Sequence, residues 1–195
     1  MAITEKHPLE PFLPKNAKIL MLGSFPPKKE RWSIDFFYPN FINDMWRIMG
    51  IVFFEDKNYF VLPDEKKFDK EKIINFCNHK GIAMYDTACE VIRLKDNASD
   101  KFLEVVTPTD IRSLLKEIPD CHAIVTTGQK AAETIAATLD CGIPQVGSSV
   151  SAGSGIRLYR MPSSSRAYPL SLNKKAEAYL GMFFAEGLVD REKVI

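Results

Sequence analysis

Apolar positions along this chain alternate between two kinds of pattern. Short runs over 18–22, 82–85, 122–126 and 156–161 have the length of strands; the first three are mostly apolar, as buried strands are, and the last carries Arg157 and Arg160 among its apolar residues. Between them, apolar residues recur at helical spacing. A helix is predicted from Pro39-Asn40 to Gly50, with Phe41, Met45 and Met49 on one face. A second is predicted over 71–80, with Ile73, Ile74 and Cys77 inward and Gly81 as its stop. A third opens at Thr107-Pro108, with Thr107 as N-cap, Pro108 at the first position and Asp110 in the first turn. Its stripe is Ile111, Leu114, Leu115 and Ile118. The last two helices are predicted over 128–139 and 171–187. Ala131, Ala132, Ile135, Ala136 and Leu139 face inward in the first, and Ala176, Tyr179, Leu180, Phe183 and Phe184 in the second.

Strands alternating with helices predict an α/β fold. The expected form is a three-layer α/β/α sandwich around a central, mainly parallel four-stranded sheet. At 195 residues the chain reads as a single domain, 1–195. Residues 7–15 carry three prolines, so 1–17 is expected to be an extended N-terminal arm. Residues 94–100 read as a polar loop.

Two loops follow predicted strands at opposite ends of the sequence. One is Gly23-Ser24-Phe25-Pro26-Pro27 and the other Met161-Pro162-Ser163-Ser164-Ser165-Arg166. Ligands of open parallel sheets bind beyond the carboxyl ends of the strands, so both loops are expected to border one crevice. Behind the first loop come Lys28, Lys29 and Arg31, then Trp32 and Phe36-Phe37-Tyr38. Such a basic, aromatic stretch suits a planar base and its phosphates, or simply closes the edge of the core. Trp32 is expected to help close the edge of the core. Alternate side chains point opposite ways, so for one of Phe36 and Phe37 stacking on a ligand reads as well as packing. Asn43, Trp46 and Arg47 lie off the main apolar stripe of their helix. On the residues alone, Asn40 caps that helix and Asn43 is a solvated surface amide. Asp86 is the one acid near the predicted crevice, with an N-cap or a salt bridge to Arg93 as its structural role.

Net charge is +1, which neither demands nor excludes nucleic acid. Its distribution says more. No acidic residue lies between Asp140 and Glu177, a stretch holding Arg157, Arg160, Arg166, Lys174, Lys175 and eight serines. Basic and hydroxyl groups without carboxylates suit phosphate contact. A Gly/Ser-rich loop with chance charge balance reads equally well. Cys77, Cys89, Cys121 and Cys141 have no Cys-x-x-Cys spacing, and His7, His79 and His122 are not at metal spacing from them. No metal and no cofactor are expected. Buried free thiols point to a reducing compartment, hence a cytoplasmic (intracellular) protein. No secretory signal and no apolar run of membrane-spanning length is seen. Thr126-Thr127-Gly128 before a helix suits a flavodoxin-like phosphate loop, or a tight strand-to-helix turn. No Gly-x-Ser-x-Gly elbow supports a serine hydrolase.

Taken together, several of these segments resemble the uracil-DNA glycosylase superfamily. Gly23-Ser24-Phe25-Pro26, the aromatic block and Asn43-Asp44-Met45-Trp46 are similar to its first motif region. The nearest branch is that of the hypoxanthine-DNA and mismatch-specific uracil glycosylases, with a Gly-Ser-Phe-Pro loop and an Asn-x-Phe-Trp helix. Tyr85-Asp86, Arg93 and Ser99-Asp100 resemble that branch's Trp-Asp, Arg and Gly-Ser-x-Asp stretch. Met161 to Ser165 resemble its Leu-Pro-Ser-x-Ser second motif, and Ser171 to Lys175 the start of the helix that follows. The similarity runs in order from about Lys18 to Phe184.

The resemblance implies a DNA glycosylase acting on an extruded deaminated base. It places Asn43 as the leading catalytic residue, with Asp86 as a second, weaker one. Gly23, Ser24, Phe25, Phe36 and Phe37 would bind the base. Ser163, Ser164, Ser165 and Lys174 would contact phosphates, and Arg166 would contact phosphate or wedge into the base stack, with Tyr168 assisting. The implied partner is DNA containing a damaged base, bound by a monomer, with no membrane. The chain also departs from the pattern. Ser24 and Phe25 stand where other uracil glycosylases carry Asp or Asn, and Met161 where they carry His or Asn. A catalytically silent nucleic-acid-binding domain that keeps the fold is therefore the alternative.

Overall fold

The computed structural model describes residues 3–94 and 102–190. The expected polar loop, with Ser99 and Asp100, lies outside them except for Leu94. Three central strands are buried along their whole length: β2 (Ile19–Gly23), β5 (Ile82–Asp86) and β8 (Ala123–Thr127). That explains their unbroken apolar runs. With β10 (Arg157–Met161) they form four parallel neighbours, in the order β5-β2-β8-β10. A fifth strand, β9 (Ser148–Ser151), adds antiparallel at the β10 edge. It escapes the sequence pattern because Ser-Ser-Val-Ser carries one apolar residue, and that side chain is only half-buried.

The connections dictate the layers. From β2 the chain passes through α1 (Met45–Phe54) and α2 (Lys70–Lys80) to β5, moving one way along the sheet. From β5 it passes through α3 (Ile111–Glu117) to β8, and from β8 through α4 (Gln129–Leu139) to β10, moving the other way. Right-handed crossovers then set α1 and α2 on one face and α3 and α4 on the other. The final helix α5 (Leu172–Ala185) packs on α1, with Phe53 and Phe183 rings 4.9 Å apart. The expected sandwich is thus present, with one more strand. The direction of travel reverses between β2 and β8, which makes their carboxyl ends the place for a ligand.

Two small sheets were not expected. β3 (Val61–Leu62) and β4 (Lys67–Phe68) form a hairpin. β6 (Ala88–Arg93) lies between β1 (Thr4–Lys6) and β7 (Leu103–Pro108) in an antiparallel three-stranded sheet. The N-terminal arm is therefore tied down at two places, through β1 and through a Phe12–Met84 bridge.

Helix starts differ from the expected ones for identifiable reasons. Residues 40–43 form a turn, not helix. Asn40 Oδ1 accepts from Ile42 N, and Asn43 Oδ1 accepts from Met45 N at 2.9 Å. Short amide side chains competing for backbone N–H groups favour turns over helix. Gly50 does not end α1. It lies inside the helix, where a Cβ would collide with the Asp56 carbonyl, and Glu55 ends the helix at φ 60°. Thr107-Pro108 does not open α3 but ends β7, paired with β6; Asp110 is the N-cap, accepting from Ser113 N at 3.0 Å.

Candidate active site at the strand ends

Gly23, Asp86, Thr127 and Met161 end the four parallel strands in register. Gly23 pairs with Asp86, Leu22 with Thr126, and Met161 with Thr127. The Gly23 loop and the 161–166 loop thereby reach the same edge of the sheet, as expected. Between them stand Tyr38 and Gly128. Tyr38 adopts φ 50°, a left-handed conformation costly for any residue with a side chain. The turn brings its hydroxyl 3.0 Å from Thr127 Oγ1. Gly128 opens α4 at φ 115°, accessible to glycine alone, so it serves the tight strand-to-helix turn. Gly23 is required for space. A Cβ there would collide with Asp86 Oδ1, so glycine lets the carboxylate lie across the end of β2.

Asp86 is buried, and its carboxylate neither caps a helix nor depends on Arg93. Its Oδ2 lies 2.9 Å from His7 Nε2 of the N-terminal arm. The Arg93 guanidinium holds Glu5 through two contacts of 3.1 Å and reaches the Pro26 carbonyl at 3.2 Å. The His7 side chain, 2% exposed, sits among three aromatic rings. Ring centroids are 4.6 Å away for Tyr85, 5.3 Å for Phe25 and 6.3 Å for Phe37. Burial, with Cys89 next and Asp86 after it, pushes the Tyr85 hydroxyl well up, so that ring stays neutral.

Phe36 and Phe37 are both buried, so stacking does not come from one of them being exposed. Phe36 packs on Phe12 and Trp46, in the core. Phe37 faces His7 and Tyr85, beside Asp86. Trp32 is not core. It is half-buried, donates to the Pro27 carbonyl at 2.8 Å and lies under the Lys29 ammonium. Trp46 and Arg47, expected off the apolar stripe, are both buried. Arg47 donates to the Phe41 and Asn43 carbonyls.

Asn43 is half-buried just upstream of α1. Its amide oxygen is committed to Met45 N, so it is not a free surface amide. Asp44, next to it, joins the two motif regions. Its N–H donates to the Ser164 carbonyl at 2.9 Å. Its carboxylate is 3.0 Å from Lys175 Nζ and 3.2 Å from Arg166 Nε. Lys175 is 1% exposed and also donates to the Ser165 carbonyl at 2.8 Å. Burial first, and Arg166 next, lower the affinity of the Arg47 guanidinium for its proton, against the pull of Asp44.

These contacts correct the reading of the carboxylate-free stretch. Its acids come from outside it: Asp44 holds Arg166 and Lys175, and Glu186 holds Arg157 at 2.9 Å. Arg166, with a 52% exposed side chain, and Lys174 remain at the surface. Ser164 is buried and unsuited to a phosphate; Ser165 is exposed and Ser163 half-buried. Arg160 lines a cleft of about 450 Å³ with Lys130, Ser163 and Tyr168, and its Nε is buried without a hydrogen-bond partner among the described residues. Met161 is 1% exposed, and its thioether donates no hydrogen bond. Reasoning from sequence missed His7, Tyr38, Asp44 and Lys175. Asp44 and Lys175 lie inside the motif segments, but nothing local pairs them, and His7 lies in a proline-rich arm without a motif.

The fold with its reversed strand order is shared by solved structures. Among solved structures that share it is an NMR structure from Methanosarcina acetivorans of a "putative uracil DNA glycosylase". It matches with a TM-score of 0.65 at 21% identity, over 95% of this chain and 99% of that one. At that identity the likeness is one of fold. No family model and no curated protein matches the chain. Among the described residues, no group of three or more His, Cys, Asp or Glu side chains could hold a metal ion, and no helix is long and apolar enough to cross a membrane.

Proposed function

We propose that this chain is a monofunctional DNA glycosylase that hydrolyses the N-glycosidic bond of a deaminated base, uracil or hypoxanthine, as a step of base excision repair. One observation carries the reading. The strand ends at the reversal of the sheet gather Gly23, Asp86, Phe37 and, through Asp44, the Ser163–Arg166 loop around a single edge. The residues of both resembling motifs thus reach one place from opposite ends of the chain.

The chemistry required there is specific. Breaking the bond generates an oxocarbenium-like sugar and an anionic base, so the protein must orient water and stabilise the leaving group. In this reading Phe37 stacks the base, and Asp86 accepts from its N–H edge. Asn43 positions the water through the part of its amide not held by Met45 N. Ser163, Ser165, Arg166 and Lys174 hold the flanking phosphates of the extruded nucleotide, with the protein acting as a monomer. Asparagine is a poor general base, so leaving-group stabilisation supplies most of the acceleration.

The silent nucleic-acid-binding domain stays as the second reading. It is favoured by the Asn43 oxygen serving the helix start, by His7 on Asp86, and by Met161 in place of a donor. Single-turnover cleavage of duplexes carrying uracil or hypoxanthine, with alkali treatment of abasic sites, separates the two. Excision by the wild type that falls at least about tenfold in Asn43→Ala, an effect on the order of 1.4 kcal/mol, supports the enzyme. That variant also loses the acceptor for Met45 N, so its thermal unfolding midpoint is measured alongside, and a lower midpoint with unchanged excision assigns Asn43 a structural role. Binding of DNA without excision of either base assigns the silent role.

A further inference from the structure

His7 is a planar nitrogen heterocycle buried among Phe25, Phe37 and Tyr85, with one ring nitrogen on the Asp86 carboxylate. We infer that His7 occupies a recognition site for a planar heterocyclic base bearing an N–H donor, and that the N-terminal arm is the site's built-in competitor. The inference rests on the glycosylase reading for the identity of the displacing ligand, and it specifies how that ligand is recognised. The Asp86 side-chain oxygen that now meets the His7 ring nitrogen would accept a hydrogen bond from a ring N–H in the same position. Uracil and hypoxanthine each present a ring N–H.

The attachment of the arm fits a displaceable plug. Three residues, Thr4–Lys6, pair with the edge of β6, and His7 N–H donates to the Cys89 carbonyl at 2.7 Å. The Glu5–Arg93 ion pair anchors this segment. Pro8 follows at once, and the next backbone tie is at Phe12. A cleft of about 440 Å³ is lined by Glu5, Lys6 and Pro8 of the arm together with Phe25, Lys28 and Trp32. The segment can therefore lift without disturbing the central sheet. While it is down, the apparent affinity for a base is reduced by the fraction of molecules with the site open.

Free-ligand binding tests this without DNA or catalysis. Full-length wild type, His7→Gly and Glu5→Ala are titrated with imidazole, uracil and hypoxanthine by calorimetry and ligand-observed NMR. Circular dichroism checks folding. His7→Gly is expected to bind imidazole, which refills the vacated space, and to bind at least one of the two bases at least about tenfold more tightly than wild type. Adding Asp86→Ala to it should abolish the gain. Glu5→Ala keeps His7 but loosens the arm, so it should also bind a base more tightly than wild type. The inference is overturned if folded His7→Gly binds no imidazole, if it binds imidazole but neither base, or if wild type binds equally well. Should His7→Gly fail to fold, unchanged base affinity in Glu5→Ala overturns it. Base binding without excision leaves the plugged site standing and removes the glycosylase reading; excision without any gain in either variant does the reverse.

Discussion

The ion pair between Asp44 and Lys175 joins residues 131 positions apart and should be one of the most sensitive contacts in the molecule. The perturbation is Asp44→Ala. Lys175 Nζ would keep only the Ser165 carbonyl, in a side chain 1% exposed. Breaking a buried pair from one side costs about 3–5 kcal/mol, because the remaining charge is left without compensation. The second partner, Arg166, adds little, since its side chain is more than half exposed and solvent screens it to about 0–1 kcal/mol. At about 2–4 °C per kcal/mol for a chain of this size, the unfolding midpoint should fall by about 6–20 °C. Urea unfolding followed by Trp fluorescence is the assay, with Trp46 fully buried in the core in α1's first turn. Lys175→Met alone should also destabilise, whereas Asp44→Ala with Lys175→Met should recover part of the loss. The coupling energy expected from that cycle is at least about 1 kcal/mol. Loss below about 1 kcal/mol in both single variants, or strict additivity in the double, would refute the argument that this pair pins the 163–166 loop to α1.

Other expectations follow from the same geometry. Phe36→Leu should lower the unfolding midpoint and leave base binding alone, while Phe37→Leu should in addition cost about 1–3 kcal/mol of binding to an extruded base; fluorescence titration against duplexes with an abasic analogue and with hypoxanthine separates the two. Arg166→Ala and Lys174→Ala should each flatten the dependence of log affinity on log salt by about 0.9 for every phosphate that is no longer neutralised, read by fluorescence anisotropy from low to moderate salt. Burial pushes the Cys77 thiol far up and the Cys121 thiol up to about 11. Both should resist alkylation at pH 8 in the native protein and react only on unfolding, as mass spectrometry would count. The unfolded chain then releases the Cys121 proton at lower pH than the folded one, so this group's contribution to stability should decline as pH rises from about 9 to about 11.

The parts of this protein visible in its sequence are those whose cause is local. Runs such as Ile19–Leu22 had to be strands buried on both faces, because no other element buries every consecutive side chain at that length. The stripe of α4 and the Gly81 stop of α2 follow from helical periodicity and from a residue free to take positive φ. Strand–helix alternation then implied the layered sheet, and with it the placement of the loops after β2 and β10 at one edge. The tertiary structure decided which chemistry those loops carry. Asp44 and Glu186 neutralise cations of a stretch that has no acid of its own, because ion pairing depends on distance in space. Phe36 and Phe37 differ by one position and are chemically identical; only packing against Trp46 on one side and His7 on the other tells their surroundings apart. The β1 strand and β9 have weak apolar patterns, since an edge strand is held by backbone hydrogen bonds to a neighbour that the sequence does not name. For the same reason the placement of His7 on Asp86, 79 residues away, belongs to the fold alone.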